Sequence, residues 1–297
     1  MKIDLILALV LTVCLGSAIG LSRGLAQHRN SDTSTEEPLY LNGRSARRMT
    51  LAFNGLAADW YWMRSLQYVG RKIVKYQDEN NAQFDLVNLS ALDVRMLPSL
   101  LDVTTTLDPQ FIPAYEYGAV ILPEIDRNQA IALLHKGIAA NPSSWRLHQH
   151  LGYIYWQVQD YPRASEEYEI GGKLPGAPAW VTAMAARMKG EGGSRAAARD
   201  MYQHLRESSS EASVQQMVEH QLSRLDSLDE LDAIRQTLVS FKQRNGRCIT
   251  SWREVDSELR NFTLDEGGAP IDPSGIPYRL INNRCDVDLD PTSKVLR

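Results

Sequence analysis

The chain has 297 residues, of which 43% are hydrophobic, enough for one large or two modest cores. Its net charge is −4, with no long basic run, so it lacks the electrostatic footprint of a nucleic-acid binder and neither DNA nor RNA is an expected partner.

From Ile3 to Leu21 the residues are mostly apolar, interrupted by Asp4 and later by small polar residues. Roughly 20 helical residues cross a hydrocarbon core, so this stretch reads as an uncleaved signal-anchor, or as a signal peptide cut near Gly24-Leu25-Ala26. Lys2 on one side and Arg23 and Arg29 on the other leave the orientation open. Residues 27–45 are polar and turn-rich and read as a tether.

In "MTLAFNGLAADWYWMRSLQYVGRKI", Phe53, Leu56, Trp60 and Met63 fall at alternating spacings of three and four, which predicts a helix with one broad apolar face. Trp60, Tyr61, Trp62 and Tyr68 either pack against neighbouring helices or form a membrane-near or partner-binding aromatic surface. Helices are also expected from 81 to 108, extending the repeats described next.

Further on, a period emerges. Ala130, Ala164 and Ala198 stand 34 residues apart; so do Leu134, Tyr168 and Tyr202, and so do Gly118, Gly152 and Ala186. Small residues where two helices cross, with large ones filling the gap beside them, mark the tetratricopeptide repeat (TPR). One such repeat cannot bury its own apolar face, so stacking into an α-solenoid follows. In the best-registered repeat, "WRLHQHLGYIYWQVQDYPRASEEYEIGG", Asp160-Tyr161 make the turn between the two helices. The preceding repeat is one residue short in its turn, and the following one has Lys189 where a large residue is expected.

A helix at 213–226 is expected to extend and cap the array. After it, "LDELDAIRQTLVSFKQRNGR" sets Leu231, Ile234, Leu238 and Phe241 on one face of a further helix, stopped by Asn245-Gly246. Strands are expected at 278–281 and 284–289, with a third at 294–296. Cys248 and Cys285 are the only cysteines outside the apolar segment. An even pair in an exported domain points to a disulfide, with two buried free thiols as the alternative.

The chain is therefore read as mainly α: 1–26 signal-anchor or signal peptide, 27–45 tether, 46–226 TPR-like repeats (near 111–144, 145–178 and 179–212), and 227–297 a small α+β module. Over roughly residues 50–297 it resembles a bacterial family of membrane-anchored TPR proteins of poorly defined function. The likeness is carried by Ala57 to Tyr68, Leu107 to Gly118, Lys136 to Ala164, Leu174 to Trp180 and Asp272 to Tyr278. The last of these, "DPSGIPY", also resembles the globular end of type II secretion pseudopilins. Where the family has Pro after "GR" this chain has Cys248, which favours a bridge to Cys285.

Catalytic patterns are missing from the sequence: there is no Gly-x-Ser-x-Gly elbow, no phosphate-cradling Gly-Lys-Ser/Thr loop and no dinucleotide fingerprint. His148 and His150, two apart, point to different sides of a helix, so no metal site and no cofactor are expected. Asp286, Asp288 and Asp290 alternate along a strand and form either a cation site or, as the favoured reading, a solvated acidic face. The expected function is a non-enzymatic protein-interaction scaffold. It would be anchored by its N-terminal helix at a bacterial inner membrane, with the soluble part in the periplasm, and serve a transport, secretion or pilus-like envelope complex. The alternative is a solute-binding subunit or enzyme with a cryptic site in the repeat groove. The resemblance assigns that groove to Arg146, Gln149, His150, Tyr153, Trp156 and Gln157 on one first helix, with Trp180 and Arg187 on the next. Trp156 and Trp180 packing between repeats is the competing reading.

Overall fold

The computed structural model describes residues 16–17, 20, 42–50, 52–81, 83–84, 89, 91–281 and 285–296. Contacts divide the chain into residues 1–40 and 41–297, and every element named below belongs to the second unit. The apolar segment 3–21, apart from three residues, and the tether up to residue 41 lie outside the described residues. Among the described residues no helix is long and apolar enough to cross a membrane.

The described chain is mainly helical. The first elements are α1 (Gly43–Met49), α2 (Asn54–Asn80) and α3 (Leu97–Leu107). Helix α1 starts inside the expected tether because the Asn42 side chain caps it, accepting from Ser45 N at 2.9 Å. Helix α3 starts at Leu97, with Pro98 in its first turn where no amide is needed, so residues 91–96 are not part of a helix reaching back to 81.

Next come α4 (Ile112–Ile121), α5 (Arg127–Ala140), α6 (Trp145–Gln157), α7 (Tyr161–Gly172), α8 (Ala179–Glu191) and α9 (Arg195–Ser208). The second helix of each pair begins at Arg127, Tyr161 and Arg195, two steps of 34 residues. Their N-caps are Asp126, Asp160 and Ser194; both aspartates accept backbone amides of the first turn. In the loop before these caps, Gln159 and Gly193 occupy equivalent positions and both adopt positive φ. The α4–α5 connection is instead a 3₁₀ turn, Leu122–Glu124, and it is not a residue short: Gly118 stands 12 residues before Ala130, as Gly152 does before Ala164.

Pairing within the repeats is close and antiparallel. A Cβ on Gly152 of α6 would lie 2.8 Å from Tyr168 Cδ2 and 3.3 Å from the Ala164 carbonyl of α7, so only glycine lets these helices meet. Ala130, Ala164, Ala198, Leu134, Tyr168 and Tyr202 are all buried. Tyr202 retains a partner by donating to the Ala183 carbonyl at 3.2 Å.

Helix α10 (Ala212–Asn245) is continuous where the sequence reading has two helices meeting at residues 226–228. Nothing there breaks it: Ser227 donates back to the Arg224 carbonyl, and no Gly or Pro occurs before Gly246. Its first half closes the repeats, packing Val214, Val218 and Leu225 with Ala183, Ala198 and Tyr202. Its second half is the floor of the C-terminal module, where Leu231, Ile234, Leu238 and Phe241 pack with Val255, Leu259, Tyr278, Val287 and Val295.

That module holds a hairpin of β1 (Arg279–Ile281) and β2 (Asp286–Asp288), paired antiparallel with Leu280 opposite Val287. Cys248 and Cys285 are joined as a disulfide, their Cα atoms 5.2 Å apart. Residues 294–296 form no third strand, since Lys294 N donates to Ser274 Oγ and Val295 N to Ser293 Oγ instead of to a ladder. The Asp-Pro-Ser-Gly-Ile-Pro-Tyr motif is a local knot built on the buried Asp272. Its carboxylate accepts from Ser274 N and Oγ, Ile276 N and Ser293 Oγ, while Gly275 supplies the positive φ. Burial would raise the Asp272 pKa, but these hydrogen bonds outweigh it and hold the carboxyl below its ordinary range.

On helix α2 the apolar stripe seen in the sequence is left outside: Phe53 and Leu56 are 71% exposed, Trp60 52% and Met63 51%. The opposite face, with Ala58, Tyr61, Ser65, Tyr68 and Val69, is the buried one. Small Ala58 and Ser65 leave room for close packing, and the Tyr68 hydroxyl is satisfied by the Asp93 carbonyl and Met96 N. Trp62 is half-buried, edge-on to Phe111 and Tyr117.

Candidate partner-binding groove

The first helices of successive pairs, α4, α6 and α8, form a row with α10. Helix α4 runs beside α6, and α8 beside α10; α6 and α8 are bridged within this row by side chains, Trp145 to Trp180 and Trp156 to Glu191. Two clusters of aromatic and charged side chains cross this row. In one, Trp145 and Trp180 meet edge to face with centroids 5.8 Å apart. The Arg146 guanidinium lies 4.8 Å over the Trp145 ring and 3.9 Å from Glu116 on α4. Glu116 Oε1 is buried and accepts no hydrogen bond. Trp180 remains 41% exposed.

In the other cluster, Tyr153 and Trp156 meet edge to face at 5.6 Å. Trp156 Nε1 donates to Glu191 at 3.2 Å, Arg187 Nε donates to the same carboxylate at 2.7 Å, and the Arg187 guanidinium sits 5.5 Å from the Trp156 ring. Arg224 of α10 approaches Glu191 to 3.9 Å. Tyr153 is 41% exposed. One carboxylate thus fixes a tryptophan and an arginine on neighbouring repeats while leaving a tyrosine face open.

His150 lies between the two clusters, half-buried, and burial lowers its pKa below 6.5, favouring the neutral ring at pH 7. Gln149 is half-buried and Gln157 exposed. His148, two residues from His150, is buried on the other side with Nδ1 2.8 Å from Glu167 of α7. Tyr117 on α4 has its phenol pushed up to about 12 by burial beside Trp62.

The eight residues assigned to the groove are therefore divided. Arg146 and Trp180 meet through Trp145, and Tyr153, Trp156 and Arg187 gather around Glu191. The sequence reading omits Trp145, Glu116, Glu191 and Arg224. A signal existed for two of these: Glu116 stands 34 residues before His150, and Glu191 stands 34 after Gln157.

The terminal carboxylates have backbone and side-chain partners. Asp286 accepts from Arg235 Nε at 2.9 Å, Asp288 from Leu289 N, and Asp290 from Thr292 N. Among the described residues no cluster of three or more His, Cys, Asp or Glu could hold a metal ion.

No protein-family model and no curated protein matches the sequence. Among solved structures, one titled "MamA MSR-1 C2" aligns with 49% of this chain and 96% of its own length, at 17% identity and a TM-score of 0.31. A likeness at that level carries no argument about function, which is left to the geometry above.

Proposed function

We propose that residues 111–212 are tetratricopeptide repeats and that the protein is a non-enzymatic interaction scaffold, binding a protein partner on the row formed by α4, α6 and α8. One observation carries this reading: along that row Arg146, Tyr153 and Trp180 stay exposed while their neighbours Trp145, Trp156 and Glu191 hold them in place. Exposed Tyr, Trp and Arg on a pre-set frame are the side chains that dominate protein interfaces, because little conformational entropy is lost when they bind. The partner is expected in a bacterial envelope complex for transport, secretion or pilus-like assembly, with the chain held at the inner membrane and residues 41–297 in the periplasm.

Crosslinking in native membranes followed by mass spectrometry tests partner and location together. Once the partner is identified, replacing Arg146 and Tyr153 with Ala should weaken its binding by about 1–3 kcal/mol in a titration, with the melting temperature unchanged. Loss of fold in that variant, or unchanged affinity, would remove the row from consideration. Protease added to spheroplasts should digest the soluble part; full protection would overturn the location.

A further inference from the structure

We propose that the outward face of α2 is a docking surface for an anionic lipid bilayer. The helix is fixed in rotation, because Ala58, Tyr61, Ser65 and Tyr68 are buried on its far side, so Phe53, Leu56, Trp60 and Met63 cannot turn inward. Met49, at the end of α1, is likewise exposed, at 69%. Single exposed apolar residues are ordinary, but a run of four at helical spacing, including Trp and Phe, marks an interaction surface.

Charge identifies the occupant. Residues 42–75 carry seven Lys and Arg side chains against a single acid, Asp59, in a chain whose net charge is −4. On α2 the cations flank the apolar stripe: Arg64 lies with its guanidinium 4.8 Å over the Trp60 ring, and Arg71 and Lys75 follow about two and three turns later beside the exposed Val74. Acids enter only in the last turn, where Asp78 and Glu79 stand and Glu79 pairs with Lys75 at 3.6 Å. On α1, Arg44, Arg47 and Arg48 are exposed. An apolar stripe of Trp, Phe, Leu and Met edged by Lys and Arg is the composition of a helix lying in a bilayer interface. There the rings settle at headgroup depth and the cations meet anionic lipid.

A second copy of the chain fits less well. The three-four spacing is that of a coiled-coil seam, yet Gln67 and Gly70 interrupt the seam, and parallel pairing would set Arg64, Arg71 and Lys75 beside their own copies.

The test uses the full chain on vesicles whose phospholipids carry brominated acyl chains, which quench nearby tryptophan. Because residues 3–21 can hold the chain on any bilayer, the readout is the quenching that disappears in Trp60→Phe, not binding as such. On vesicles with about one-third phosphatidylglycerol that Trp60 component should be present. It should fall roughly threefold or more on zwitterionic vesicles, in high salt with the unaltered chain, or with Arg64→Glu, Arg71→Glu and Lys75→Glu combined. Equal quenching of the chain and Trp60→Phe would overturn the proposal, as would a Trp60 component indifferent to lipid charge and salt. A concentration-dependent dimer in sedimentation, abolished by Met63→Glu and protecting Trp60 from bromolipid, would assign the face to a second copy. Partner binding through Arg146 and Tyr153 is untouched by these variants, so the two proposals fail separately.

Discussion

Gly152 is a residue whose identity is dictated by a single contact distance. A methyl group there would meet the Tyr168 ring at 2.8 Å and the Ala164 carbonyl at 3.3 Å, and backbone on one side leaves little room to yield. Gly152→Ala is expected to cost about 1–3 kcal/mol by overpacking, read as a lowered denaturation midpoint. His150 offers a second test at this scale. Its folded pKa lies below 6.5, so the unfolded chain binds the extra proton first, and stability must fall as the pH drops from 6.5 toward the folded value. Melting at pH 7 and pH 5.5 should show that loss, and His150→Gln should diminish it. Gly152, Ala164 and Tyr168 were legible as a crossing because the 34-residue period marks them. The Glu191 contact to Trp156 was not, because it joins side chains 35 residues apart on different helices.

At the scale of elements, the turn between paired helices falls slightly before the Asp160-Tyr161 of the sequence reading: Asp160 is the N-cap and Tyr161 already opens α7, so the chain turns at Val158 and Gln159. Gln159 takes φ 60° where the next repeat has Gly193 at φ 88°. A side chain in the left-handed region is strained, so Gln159→Gly should be neutral to stabilising by up to about 1 kcal/mol, the relief being offset in part by the more flexible unfolded chain. A lower melting temperature in that variant would show that the Gln side chain has a structural role. Helix α2 is a different case. Its periodicity announces a helix and an apolar stripe, but periodicity alone does not say which face is covered. Ala58 and Ser65 win the inward position because they let α3 come close, and the larger residues are left outside.

At the scale of residues 41–297, α10 joins the repeats to the C-terminal module within one helix, and Tyr278 donates to Glu230 at 2.7 Å to tie the module to that helix. Burial raises the Glu230 pKa, only partly countered by that bond, so this carboxyl works against stability at neutral pH and is relieved as pH falls toward its folded value. Asp272 titrates in the other sense: its contribution is present above 3.8 and is lost as pH falls through its depressed folded value. Asp272→Asn should therefore cost about 1.5–3 kcal/mol at pH 7, seen as early unfolding of the module by hydrogen exchange. Cys248→Ser should lower stability by about 2–4 kcal/mol and abolish the mobility difference between reduced and non-reduced chain.

The sequence by itself determined the helical repeats, their register, their tight crossings and the apolar face of α10, because each is written in local spacing that a helix converts directly into one surface. Tertiary structure alone decided which side of α2 is buried, that α10 runs unbroken, that residues 294–296 serve Ser274 and Ser293 instead of a strand, and that Glu116 and Glu191 stand in the row. Those outcomes depend on which surfaces compete for the same core and on which distant backbone groups need partners. That competition is settled only when the helices pack.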